Sequence, residues 1–173
     1  MFLTVNIAVV VGFLLILAMK KTPPPVSQEQ RAAELGEGTE PALNTLTLER
    51  FDMLCSSLLQ ALGLEIERST KAGNREVEMM AVNPAPIIGG QYLVHGELLE
   101  RGEVVETVQV LALIDAVKGE GASKGVLITN GFFSDEAGKA AAGGPIELIN
   151  GVRFWELLQR FDLVSATIPG RHL

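Results

Sequence analysis

A single cysteine in 173 residues excludes an internal disulfide, so nothing implies an oxidising compartment. A basic excess is missing too: 14 Lys and Arg stand against 21 Asp and Glu, a formal charge of −7. Phosphate binding usually leaves a strongly basic footprint, so this balance argues against a general nucleic-acid binder, local patches aside. No Gly-x-x-x-x-Gly-Lys-Ser/Thr pattern occurs, which leaves Gly89-Gly90, Gly143-Gly144 and the Gly119–Gly125 stretch as turns rather than phosphate cradles. Internal repeats are absent as well. Finally, no Lys or Arg precedes the first apolar run, and no small-x-small site follows it, which disfavours a cleaved signal peptide.

That run is the most conspicuous feature present. From Phe2 to Met19 there is no charge, and only Thr4, Asn6 and Gly12 are not apolar. Its Leu, Ile, Val and Phe residues favour insertion by roughly 4–7 kcal/mol on a translocon scale. At about 1.5 Å rise the run reaches close to 27 Å, enough for a hydrocarbon core. The expectation is a single-pass anchor over 1–21, with residues 2–19 in the membrane. Lys20-Lys21 place the remainder on the cytoplasmic side. Residues 22–44, with Pro23-Pro24-Pro25 and few large apolar side chains, read as an extended tether. A globular domain follows over 45–163, and 164–173 reads as a flexible tail.

Phe51, Leu54, Cys55, Leu58, Leu59 and Leu62 form one helical stripe, with Thr47 as N-cap and Gly63 as the stop. Cys55 on that stripe reads as core filler. Strands are expected over Leu64–Ser69, Glu76–Val82 and Gln91–Leu99. A densely apolar helix over Glu103–Lys118 is expected to be well buried. Gly125–Thr129 is an uninterrupted apolar run, the pattern of a strand covered on both faces. Ser134 opens a short helix, Pro145–Ile149 forms a last strand, and Phe154, Leu157, Leu158 and Phe161 mark a closing helix; Trp155 reads as packing. The order α-β-β-β-α-β-α-β-α predicts an α/β fold: a mixed sheet flanked by helices, plus the N-terminal transmembrane helix.

That order, with the residues occupying it, resembles the Mrr-like branch of the restriction-endonuclease (PD-(D/E)XK) fold. Gly121-Ala-Ser-Lys-Gly-Val-Leu-Ile-Thr-Asn-Gly-Phe-Phe-Ser-Asp-Glu-Ala137 is similar to the family's strand and Phe-Ser-x-x-Ala helix start. Ile146-Glu-Leu-Ile-Asn-Gly151 resembles its Leu-Ile-Asp/Asn-Gly turn, and Arg50-Phe51-Asp52 with Leu62-Gly63-Leu64 its first helix and exit. The likeness spans about residues 47–161 and rests on scaffold rather than catalytic segments.

The resemblance implies DNA as partner and phosphodiester hydrolysis with a divalent metal, Mg²⁺ or Mn²⁺. In such a site an Asp and a Glu or Gln hold the metal, while a Lys two residues later serves the attacking water. Strand positions i and i+2 share a face, so ligand and lysine converge on one phosphate. Carried over residue by residue, the Asp position is Glu78 and the Gln/Glu-x-Lys is His95-Gly96-Glu97. Asp52 is the acid contributed by the first helix. The implied catalytic pair is Glu78 and Glu97, the implied metal set Asp52, Glu78, His95 and Glu97. The implied DNA contacts are Lys71, Arg75 and Lys124.

Two departures matter. His95 offers nitrogen where magnesium prefers oxygen. Glu97 puts a carboxylate where a cation belongs, and a carboxylate cannot stabilise charge developing on a phosphate. Of the nearby basic residues Arg68, Lys71, Arg75 and Arg101, none stands in for the lysine from sequence alone. Three readings stay open: a rebuilt metal site, a decayed active site on a sheet rim, or a motif displaced by a residue or two. The functions that follow are an endonuclease with impaired or lost catalysis, or a non-catalytic scaffold or protein-interaction domain at the membrane.

Overall fold

The computed structural model describes residue 43, residues 45–87 and residues 89–164. The expected anchor over 2–19, nearly all of the tether and the tail beyond Val164 lie outside them. Among the described residues no helix is long and apolar enough to cross a membrane. Leu43, placed in the tether by its neighbours' composition, is only 2% exposed and packs into the core. The globular unit thus reaches back past the expected start at 45.

Helix α1, Leu48–Ala61, begins where the Thr47 hydroxyl accepts the Arg50 N–H at 3.3 Å. It buries Phe51, Leu54, Cys55, Leu58 and Leu59. Leu62 does not join that stripe: it is the C-cap residue and 46% exposed, because the helix has ended and Gly63 at φ +86° turns the chain. A meander follows, β1 (Glu65–Ala72), β2 (Glu76–Asn83) and β3 (Gly90–Glu97). Then come β4 (Val104–Val105), α2 (Thr107–Glu120), β5 (Lys124–Thr129), β6 (Phe132–Phe133), α3 (Asp135–Ala141), β7 (Ile146–Ile149) and α4 (Gly151–Arg160).

The main sheet has the order β1-β2-β3-β5-β7. β1, β2 and β3 pair antiparallel, while β3–β5 and β5–β7 pair parallel. Parallel neighbours need crossovers, and α2 and α3 supply them. The mixed sheet and the expected element order are both present. Residues 104–105 are a correction: instead of extending the helix they pair with Phe132–Phe133 in a separate two-stranded parallel ladder. A two-residue strand carries no readable period, and Val104-Val105 merges with the apolar run behind it.

Side-chain alternation sends two cores to opposite faces of the sheet. Phe51, Leu54, Leu58, Val77, Met79, Val94, Val126, Ile128, Phe154 and Leu158 fill the α1/α4 side. Leu93, Val110, Leu113, Val117, Leu127, Phe133 and Ala137 fill the α2/α3 side. β5 contributes to both, as its unbroken apolar run predicts. Cys55 is fully buried in the first core, where burial and then the Asp52 charge push its thiol well above its usual range. It packs as a small hydrophobe. Helix α2 departs from expectation: Val108 is 67% and Leu111 49% exposed, because only one side of it meets the sheet.

Candidate functional site

Strand β2 directs Val77, Met79 and Ala81 into the α1-side core, so Glu76, Glu78 and Met80 face α2. In β3, Leu93 enters the α2-side core, and His95 and Glu97 follow it at period two. The register sets Glu78 directly opposite His95 and Glu76 directly opposite Glu97. Glu78, His95 and Glu97 therefore share one face of two neighbouring strands, as the sequence implied. Directly opposed residues come within about 5 Å at Cβ, diagonal ones about 7–8 Å.

Sharing a face does not make them one site. Glu78 and His95 open into a cleft of about 700 Å³ between β1–β3 and α2. Glu97 opens into a smaller one of about 380 Å³, with Arg75, Glu103 and Glu106. Gln109 from α2 lines both. Asp52 is elsewhere: α1 lies on the other face of the sheet, and there Asp52 accepts the Ser69 hydroxyl at 2.9 Å. Among the described residues no three His, Cys, Asp or Glu side chains are grouped to hold a metal ion. Of the four implied ligands, Glu78 and His95 line one cleft, Glu97 another, and Asp52 lies on the far face, a poor match for a hard divalent cation that takes several oxygens at once. The four implied ligands are not brought together, and the residues present do not fit the metal that the resemblance implied.

Glu97 is half-buried, and burial raises its carboxyl from the ordinary 4.5. The opposed Glu76 adds to this, while His95, a hydrogen bond with Gln109 and Arg75 pull the other way. Its Oε2 and the Oε1 of Gln109 are both buried without a hydrogen-bond partner. The unfolded chain ionises near 4.5 while the folded chain holds its proton, so native stability falls as pH rises from there to the folded value. Glu97→Gln cannot ionise and escapes this loss. Its denaturation midpoint should exceed that of the wild type by a margin that widens as pH rises above the ordinary 4.5. A margin independent of pH would contradict the assignment.

The three basic residues implied for DNA each have acidic partners. Lys71 meets Glu49 at 3.2 Å on the α1 side, Arg75 meets Glu103 at 2.9 Å and Glu100 at 3.3 Å, and Lys124 pairs with Glu147. Lys124 lies opposite Tyr92 at the far end of the sheet, remote in register from Glu97. The cation that does reach the larger cleft is Arg68. A register shift between Ile66 and Arg68 pairs Arg68 with Met80 rather than with Met79, turning it onto the Glu78 face. Regular alternation would have sent it to the opposite face, so a sequence period could not place it there. Among the described residues Arg68 has no ion-pair partner.

Known proteins share this arrangement of strands and helices, although no curated protein matches the chain. Among solved structures, the DNA modification-dependent restriction endonuclease AspBHI is 18% identical with a TM-score of 0.51, over 75% of this chain and 40% of that one. A protein of unknown function, AF1548, is 19% identical with a TM-score of 0.50, over 65% of this chain and 66% of that one. The MspJI restriction endonuclease in complex with a 27-mer oligonucleotide aligns at 17% identity and a TM-score of 0.45, over 83% of this chain and 33% of that one. The chain spans well under half the length of the two named endonucleases, and identities this low speak to fold alone. The profile of the Mrr_cat restriction endonuclease family matches residues 43–158, more than half of the sequence. With the sheet order and the helices already described, this match shows that the chain belongs to the Mrr-type restriction endonuclease family.

Proposed function

We propose that this chain uses the restriction-endonuclease fold as a non-catalytic binding scaffold, tethered by residues 2–19 with its domain on the cytoplasmic side. The observation carrying this reading is the division of the would-be centre. Glu78 and His95 line one cleft, Glu97 replaces the lysine in another, and Gln109 borders both. Among the described residues neither Mg²⁺ nor Mn²⁺ has a matching cage, and no lysine lines either cleft. The tether is supported by the uncharged run before Lys20-Lys21. Binding to DNA is expected to be weak, since Lys71, Arg75 and Lys124 are engaged by carboxylates.

A second reading, a metal-dependent endonuclease acting on DNA, is favoured by the family itself and by Arg75, which lines the same cleft as Glu97. One titration separates the two. A labelled duplex is titrated with the full chain at low and high salt, with Mg²⁺ and then Mn²⁺ present, and afterwards run on a denaturing gel. The scaffold reading expects a shallow salt dependence and intact strands. Tight binding that collapses steeply with salt, or shortened strands, would favour the endonuclease.

A further inference from the structure

The larger cleft has two unlike walls. Leu93 and Leu113 are buried at its floor, with Val108 and Ala112 exposed along its α2 side. The opposite wall and the rim are polar, with Glu76, Glu78, His95 and Arg68 from the sheet and Glu120 from the end of α2. Its volume of about 700 Å³ is that of a small-molecule site.

Among its charged groups carboxylates outnumber cations. Elsewhere Glu49, Glu100, Glu103, Glu136, Glu147 and Glu156 each meet a Lys or Arg. Glu76, Glu78 and Glu120 have no such partner among the described residues, although Arg68 lines the same cleft. Three carboxylates against one guanidinium disfavour phosphate and attract N–H donors carrying positive charge. The apolar floor and α2 side suit a hydrocarbon or ring body rather than a bare ion.

We infer that this cleft is a binding site for a small organic cation with an apolar body, a primary ammonium or amidinium on a ring or short hydrocarbon. The ammonium lies toward Glu78 and Glu76, and the body rests against Leu93, Leu113 and Ala112. Val108, exposed on α2, borders it. The inference rests on the non-catalytic reading, since a working nuclease would need this face for a phosphate.

The test is calorimetric titration of the full chain with phenethylamine, beside its neutral and anionic counterparts 2-phenylethanol and phenylacetate. Phenethylamine should bind about tenfold or more tightly than the alcohol, as a charge-assisted contact requires, and should weaken with added salt. Phenylacetate should not bind. Glu78→Gln, at an exposed position, should cost about tenfold. Ala112→Phe should abolish binding by filling the cleft, with near-ultraviolet circular dichroism verifying that both variants are folded. Absence of phenethylamine binding, equal binding of the alcohol, or indifference to both substitutions would overturn the site. Those results would leave the scaffold reading standing, because that reading falls only on DNA binding or cleavage.

Discussion

Phe51→Ala should lower the unfolding free energy by about 3–5 kcal/mol, the usual loss for truncating a fully buried aromatic. The ring is 0% exposed and meets Phe154 edge-on, with centroids 5.7 Å apart at 74°. That contact joins α1 to α4, the first and last helices of the domain. The ring also covers Gly96, where an added Cβ would lie 3.0 Å from its Cε1. Gly96 stands between His95 and Glu97, so the cavity would open beneath the strand that carries the site. Against a typical total of about 5–15 kcal/mol, the loss removes a large share of the stability. Urea denaturation followed by the fluorescence of Trp155, which packs against the same core, would measure it. A loss below about 1 kcal/mol would mean that the core closes over the gap.

Asn130→Ala should cost about 2–5 kcal/mol through hydrogen bonds rather than packing. Asn130 is 7% exposed, and its side chain is held at both ends. Its Oδ1 accepts the Leu99 N–H at 2.7 Å, while its Nδ2 donates to the Leu99 carbonyl at 3.0 Å and the Leu43 carbonyl at 3.5 Å. One amide thus fastens the end of β5 to the chain leaving β3 and to the start of the domain. Removing it leaves the Leu99 N–H and carbonyl without a partner in a buried setting. Hydrogen exchange at the Leu99 amide should accelerate together with the loss of stability. Unchanged exchange at Leu99 would assign the destabilisation to something else.

Much of the scaffold was legible because local chemistry and tertiary packing agree. The Thr47 cap, the stripe from Phe51 to Leu59, the Ser134 cap and the two-sided apolar strand at Gly125–Thr129 stand where the sequence put them. The departures come from long-range pairing. Val104-Val105 reads as helix by local pattern but pairs with Phe132-Phe133, and Val108 lies exposed because only one side of α2 meets the sheet. Asn130 gave no signal, since a buried amide has no period.

The site was half legible for the same reason. Strand alternation correctly put Glu78, His95 and Glu97 on one face. It could not show that Gln109, from a helix twelve residues downstream of Glu97, would border two separate clefts on that face. Nor could it foresee that a bulge would turn Arg68 toward Glu78, or that α1 would hold Asp52 on the far side. Each implied DNA contact, Lys71, Arg75 and Lys124, has an acidic neighbour distant in sequence, which no local pattern reveals.

A scaffold role requires that the fold leave phosphodiesters intact: Glu97 stands where the resemblance places an ammonium, and Glu78 and Asp52 open elsewhere. Nicking of supercoiled plasmid by the full chain, with Mg²⁺ and with Mn²⁺, tests it most directly, with Glu78→Ala as control. The expected result is no nicked product beyond the protein-free reaction from either protein. Nicking by the wild type that disappears in Glu78→Ala would contradict it.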